Sequence, residues 1–121
     1  MKRVLIAEDD KFIANAYRAK LEKAGFELQM AGDGEEVLRI LEVWVPDLIL
    51  MDLIMPKRDG FSALEEIKKN PKWKSIPVLV ASNLGQKEDV DRAEELGADG
   101  YIVKSNMGIN DLVTKINSLL G

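Results

Sequence analysis

The chain has 121 residues, of which 17 are basic and 21 acidic, for a net charge of −4, and no Lys/Arg run exceeds two residues. That pattern lacks the electrostatic footprint of a protein that binds nucleic acid or an anionic membrane directly. With no cysteine and no histidine, the chain cannot form disulfides, thiol nucleophiles, Cys/His zinc sites or a serine-histidine triad. A composition 46% hydrophobic and 31% charged is that of a globular protein, and the length predicts one folding unit, residues 1–121. The apolar run Val4 to Ala7 is too short for a signal peptide and meets Glu8, Asp9 and Asp10 at once. No segment approaches the roughly 20 apolar residues of a membrane span, so the cytoplasm is the expected location.

In chain order, Val4-Leu5-Ile6-Ala7 predicts a first strand. Ile13, Tyr17, Leu21 and Ala24 then recur at spacings of 4, 4 and 3, which predicts a helix, with Gly25 as its C-terminal glycine cap. A weaker apolar run over residues 26–31 predicts a second strand, and Val37, Leu38, Leu41 and Val45 a second helix. Residues 47–51 form a third strand run, Asp-Leu-Ile-Leu-Met. Pro56 and Asp59-Gly60 predict a turn in which Gly60 supplies a permissive φ, before a third helix carrying Leu64 and Ile67. Residues 77–81 predict the fourth strand, and Val90, Ala93 and Leu96 the fourth helix, ahead of Gly97. Residues 100–103 predict the fifth strand, and Ile109, Leu112, Val113, Ile116, Leu119 and Leu120 the last helix.

Strand runs that are continuously apolar, rather than alternating, indicate burial on both faces and hence a parallel sheet. Five such runs alternating with helices imply right-handed crossovers: an α/β fold with a five-stranded, doubly wound parallel sheet of flavodoxin-like architecture and five alternating helices. Ligands of such sheets bind at the carboxyl ends of the strands. The polar residues predicted there are Glu8, Asp9 and Asp10 after the first strand, Asp52 after the third, Ser82 and Asn83 after the fourth and Lys104 after the fifth.

An acidic residue just before a helix often only caps it, and Asp10 suits that role best. Asp52 is different, because an unpaired charge at the end of a buried strand costs several kcal/mol. Clustered with Glu8 and Asp9 it would also meet like-charge repulsion, which a divalent cation relieves. Oxygen ligands without imidazole or thiolate favour Mg²⁺. A carboxylate beside Mg²⁺ can attack a phosphoryl group to give an aspartyl phosphate, with Lys104 neutralising phosphoryl oxygens and Ser82 donating a hydroxyl hydrogen bond. Taken singly, Lys104 reads as a solvated loop lysine and Ser82 as a small residue at a strand end. Jointly, at matched strand ends, they read as a site.

Four blocks carry a resemblance over essentially the whole chain: residues 4–10 (VLIAEDD), residues 47–56 (DLILMDLIMP) with Asp59-Gly60, residues 77–82 (PVLVAS) and residues 97–104 (GADGYIVK). In this order and spacing they resemble the receiver domain of two-component response regulators. The resemblance implies that Asp52 is the phosphoacceptor, Asp9 a direct Mg²⁺ ligand, Glu8 a ligand through metal-bound water, and the Ile54 carbonyl a further ligand. It also implies that Ser82 is the switch hydroxyl, Lys104 the partner of Asp52 and its phosphate, and Tyr101 a switch aromatic, although Tyr101 reads equally well as an ordinary strand residue. The family usually has proline after its lysine where this chain has Ser105, and a non-proline cis bond costs about 2.5–4 kcal/mol, so a trans Lys104-Ser105 bond is expected.

Two enzyme-like alternatives fail on particular residues. A flavin-phosphate loop needs neutral donors where Glu8-Asp9-Asp10 stand. A phosphatase with a strand-end Asp nucleophile needs a second Asp where Ile54 stands, so a multiple-turnover enzyme is not expected. The remaining alternative is a receiver-like interaction module that never carries phosphate. The expected partners are a sensor histidine kinase or histidine phosphotransfer protein and a downstream protein target, with no nucleic acid or membrane. The chain ends one residue past Leu120, from which a stand-alone regulator is expected, the alternative being a receiver cut from a longer protein with an output domain.

Overall fold

The computed structural model describes residues 1–121. The elements are β1 (Arg3–Ala7), α1 (Lys11–Lys23), β2 (Glu27–Ala31), α2 (Gly34–Leu41), β3 (Leu48–Met51), α3 (Gly60–Lys69), β4 (Val78–Ser82), α4 (Lys87–Glu95), β5 (Gly100–Val103) and α5 (Ile109–Leu120). The strands form one parallel sheet in the order β2-β1-β3-β4-β5, so the direction of winding reverses between β1 and β3. No helix is long and apolar enough to cross a membrane.

The three inner strands β1, β3 and β4 bury both faces, as their unbroken apolar runs require, whereas the edge strands β2 and β5 bury only Ala31 and Ile102 fully. Leu5, Ala7, Ile49, Met51, Val78 and Val80 meet Val37 and Leu41 of α2, four residues of α3, and Ala93 of α4. Their neighbours Val4, Ile6, Leu48, Leu50, Leu79 and Ala81 meet Leu21 of α1 and Leu112 and Ile116 of α5. Three helices therefore cover one face of the sheet and two cover the other.

Helix ends follow local chemistry. Asp10 caps α1, its Oδ1 accepting from the N–H groups of Phe12 at 2.9 Å and Ile13 at 3.1 Å. Asp33 and Asp59 cap α2 and α3, each accepting at 2.8 Å from the N–H three residues on. Gly25 (φ +95°) and Gly97 (φ +106°) close α1 and α4 in the left-handed conformation, and the N–H after each reaches back to a carbonyl in the last helical turn.

Two expectations need correction. α2 stops at Leu41, and Val45 lies beyond it, 54% exposed; Pro46 keeps Val45 itself out of helical conformation. The residue with positive φ in the turn before α3 is Lys57 (φ +65°), not Gly60. Gly60 is the first residue of α3, and what it supplies is space: a Cβ there would stand 2.2 Å from the Asp52 carbonyl oxygen and 2.7 Å from Leu53 Cα.

Gly60→Ala is accordingly expected to destabilise the fold by about 1–3 kcal/mol, the usual cost of overpacking. Gly32→Ala, whose Cβ would come no closer than 4.0 Å to Glu36 Oε1, should change stability little. Urea unfolding of the two variants measures the contrast.

Candidate functional site

Strand register builds the site. Ala7 pairs with Met51, so Glu8 and Asp52 leave the sheet side by side, and the Asp52 N–H donates to the Ala7 carbonyl at 3.0 Å. Ser82 pairs with Val103, which brings Lys104 to the same rim. Carboxylate oxygens of Glu8, Asp9 and Asp52 lie within 4.8 Å of one another. Glu8 and Asp52 are buried, 5% and 8% exposed, whereas Asp9 is open to solvent.

Lys104 is anything but a solvated loop lysine. Its side chain is 10% exposed, and Nζ donates to Glu8 Oε2 and, at 3.1 Å, to Asp52 Oδ2. The other Asp52 oxygen, Oδ1, accepts from the N–H of Leu53 at 2.7 Å and more weakly from that of Ile54 at 3.4 Å. Burial pushes the Glu8 carboxyl above the usual carboxylate range; the hydrogen bond from Lys104 opposes this and the nearby Asp52 charge adds to it. Burial acts to lower the Lys104 ammonium, but the Glu8 hydrogen bond and the Asp52 charge outweigh it and leave the pKa raised.

Ser82 is fully buried, and its Oγ accepts from the Leu84 N–H at 3.2 Å. Tyr101 is half-buried against the three-helix face, and its hydroxyl donates to the Leu84 carbonyl. Burial raises its pKa above the ordinary phenol value. The backbone of Leu84 is thus held on both sides of its Cα, by Ser82 through the N–H and by Tyr101 through the carbonyl. The side chains of Ile54 and Leu84 differ: Ile54 is 59% exposed, whereas Leu84 is half-buried and packs on the core.

The Lys104-Ser105 bond is trans, like every other peptide bond of the chain, and residues 104–106 form a short 3₁₀ turn. Asp10, at the edge of the acidic run, is engaged as a helix cap. The sequence gives no sign of Tyr17 as a neighbour of the site, since it occupies an ordinary core position of α1. It lines a cavity of about 220 Å³ together with Lys104, Met107, Ile109 and Leu112, and burial raises its pKa.

Three hard carboxylates converging on one point suit a divalent cation such as Mg²⁺. Beside them stand a buried ammonium and a buried hydroxyl, the groups that neutralise and orient a phosphoryl group. The fold and this site are those of a phosphoacceptor switch. A family model described as the response regulator receiver domain matches residues 4–117, and the chain belongs to that family.

The chain is 37% identical to the chemotaxis protein CheY of Halobacterium salinarum over 103 residues, 85% of this chain and 84% of that one. The receiver domain of the Francisella response regulator 1452 superposes with a TM-score of 0.91 at 32% identity, covering 99% of this chain and 97% of that one. The Mn(2+)-bound form of response regulator Rcp1 superposes with a TM-score of 0.83 at 32% identity, covering 98% and 91%. The chain spans about half the length of several longer curated regulators that it also matches.

Lys104→Met removes the one cation between two buried carboxylates. It is expected to destabilise the fold by about 3 kcal/mol at neutral pH, typical of a buried ion pair broken on one side. Glu8 has a raised folded-state pKa, so it binds protons more readily folded than unfolded, and its contribution to stability grows as pH falls through that pKa. The stability lost in Lys104→Met should therefore be partly recovered on acidification from neutral pH toward the carboxylate range. Urea midpoints across that range check both statements.

Proposed function

We propose that this domain is switched by phosphorylation of Asp52. The observation that carries the reading is that Asp52 stands at the end of a buried strand, with Glu8 and Asp9 within 4.8 Å and Lys104 Nζ on its Oδ2. Glu8, Asp9, Asp52 and the Ile54 carbonyl would hold Mg²⁺, a reading supported by the three-carboxylate donor set and by the Mn(2+)-bound Rcp1 relative. The metal supplies charge neutralisation on the phosphoryl oxygens.

An Asp52 carboxylate oxygen attacks the phosphorus, forming the P–O bond of an acyl phosphate. The bond from phosphorus to the donor breaks, and its electron pair leaves on a histidine nitrogen, which takes up a proton, or on the carboxylate of a small acyl phosphate. Lys104 gives up its contact with the Asp52 oxygen and pairs with the transferred group. Ser82 Oγ turns from the Leu84 N–H to a phosphoryl oxygen, and Tyr101 repacks. These 121 residues contain no histidine, so the phosphoryl group comes from outside this domain, from a small acyl phosphate or from the phosphohistidine of a sensor histidine kinase or a histidine phosphotransfer protein. The output is a changed protein-binding face on α4, β5 and α5. Its suitability lies in α4, where only Ala93 is fully buried and no side chain caps the N-terminus. The domain acts in the cytoplasm on a protein target, without itself contacting nucleic acid or membrane. It is not a multiple-turnover enzyme.

Acetyl phosphate with Mg²⁺ should add one phosphoryl group to the wild-type chain by intact mass, and none to Asp52→Asn or in the presence of a chelator. An unmodified wild type would leave the alternative, an interaction module that never carries phosphate. Mg²⁺ at ten times its dissociation constant should also stabilise the domain by about 1.4 kcal/mol.

The phosphate should be long-lived, because the exposed Ile54 side chain offers no group to orient an attacking water. Ile54→Asn is expected to speed the decay of the phosphorylated protein in Mg²⁺. Leu84, two residues after Ser82 as Ile54 is two residues after Asp52, would flank the same approach of water to the phosphorus, and Leu84→Glu tests it; unchanged lifetimes in both variants, or a wild type that decays within seconds, would overturn the proposal.

A further inference from the structure

Residues 52–59 join β3 to α3. They carry Asp52, the Leu53 and Ile54 amides that bind its Oδ1, and the Ile54 carbonyl. A connecting segment of this kind has no ladder or helix to set its shape. One of its residues, Lys57, has a φ of +65°, a conformation that L side chains rarely adopt. Its shape is imposed from outside.

Two close backbone approaches impose it. One is Gly60 against Asp52 and Leu53. The other is Gly34, the first residue of α2, whose N–H donates to the Arg58 carbonyl at 3.0 Å. A Cβ on residue 34 would stand 2.2 Å from that oxygen and 2.9 Å from the carbonyl carbon. Both are backbone atoms, so rotating a side chain cannot relieve the contact. Charge reinforces the junction: Arg58 Nε pairs with Glu35 Oε1 at 3.0 Å, Lys57 Nζ lies 3.8 Å from Asp33 Oδ2, and the Arg58 guanidinium donates to Ser62 Oγ in α3 at 3.1 Å. None of these residues belongs to the acidic cluster.

We propose that Gly34 is a positioning residue for the metal-binding end of this loop: the missing side chain lets the start of α2 hold the Arg58 carbonyl and so sets the placement of Asp52 and the Ile54 carbonyl. Any side chain at residue 34 pushes residues 53–59 away from α2. The misplacement falls on the groups that must converge on one cation, although residue 34 itself touches neither cation nor phosphate. The inference rests on the metal reading of the site given above.

The test is Mn²⁺ affinity in the whole chain, read from the paramagnetic resonance of free Mn²⁺, alongside the metal-free melting temperature. Gly34→Ala is expected to weaken Mn²⁺ binding about tenfold, the low end of what outer-shell changes cost a metal site. Gly97→Ala is the control for destabilisation alone: its Cβ would meet the Lys68 side chain at 2.8 Å and its φ is +106°, at the end of α4. It should lower the melting temperature and leave Mn²⁺ affinity unchanged. Should Gly34→Ala fail to fold, Arg58→Ala retains the backbone contact but loses the bonds to Glu35 and Ser62 that hold the same junction; weaker Mn²⁺ binding in it supports the inference and wild-type affinity overturns it. Wild-type affinity in Gly34→Ala, or an equal loss in Gly97→Ala, overturns the inference. A wild-type chain that does not take up Mn²⁺ overturns the metal reading, and this inference with it.

Discussion

Two carboxylates at the buried ends of adjacent strands repel each other, and both lose hydration; Lys104 is what makes the arrangement tolerable. Its ammonium lies between Glu8 and Asp52 with little exposure of any of the three side chains. Because the lysine comes from β5 and the acids from β1 and β3, the ion-pair cluster closes only when the sheet is assembled in the order β2-β1-β3-β4-β5. Pairs of this kind add little net stability over an apolar core, since desolvation offsets attraction, but removing one member is costly. The cluster is therefore better understood as a poised charge balance than as a stabilising element. A phosphoryl group and a cation bound there, as proposed, would alter that balance at its centre.

The geometry around that balance is set by backbone approach as much as by side chains. Gly60 lets α3 begin against the carbonyl of Asp52, and Gly34 lets α2 begin against that of Arg58. Both glycines open helices capped by the aspartate just before them, Asp59 and Asp33. One dipeptide pattern thus does two jobs, satisfying free N–H groups with the Asp side chain and admitting a neighbouring chain where the Cβ would be. The loop between these contacts is irregular without being free.

On the other side of the site, order is thinner. α3 buries five residues completely or nearly so, whereas α4 buries only Ala93. Phe61 and Arg92 join the two helices by a cation–π contact, with the guanidinium carbon 4.1 Å from the ring centre. The Leu84 backbone, held through its N–H by Ser82 and through its carbonyl by Tyr101, links the site to this loosely anchored region. A buried, hydrogen-bonded acidic pocket beside a helix with a single buried residue is the layout expected of a two-state element biased by a local charge change.

Much of this was legible in the amino-acid order. Continuous apolar runs specified buried parallel strands, and the apolar spacing located all five helices. Alternation of the two placed Glu8, Asp9, Asp52, Ser82 and Lys104 at strand ends, because the carboxyl end of each strand in a doubly wound sheet faces the same rim. The motif blocks carried the family. Local patterns do not report close approach between segments far apart in sequence. Nothing around residue 34 announces Arg58, nothing in the period of α1 sets Tyr17 beside Lys104, and Gly60 reads as a turn glycine although what requires it is the Asp52 carbonyl packed against it. Val45 continues the apolar period of α2, yet the helix ends at Leu41 and Val45, held extended before Pro46, lies outside it. Which strand ends face a common rim follows from chain order and strand register; which side chains share a proton-rich contact, and which glycines must stay bare, depends on distances that only the folded chain sets.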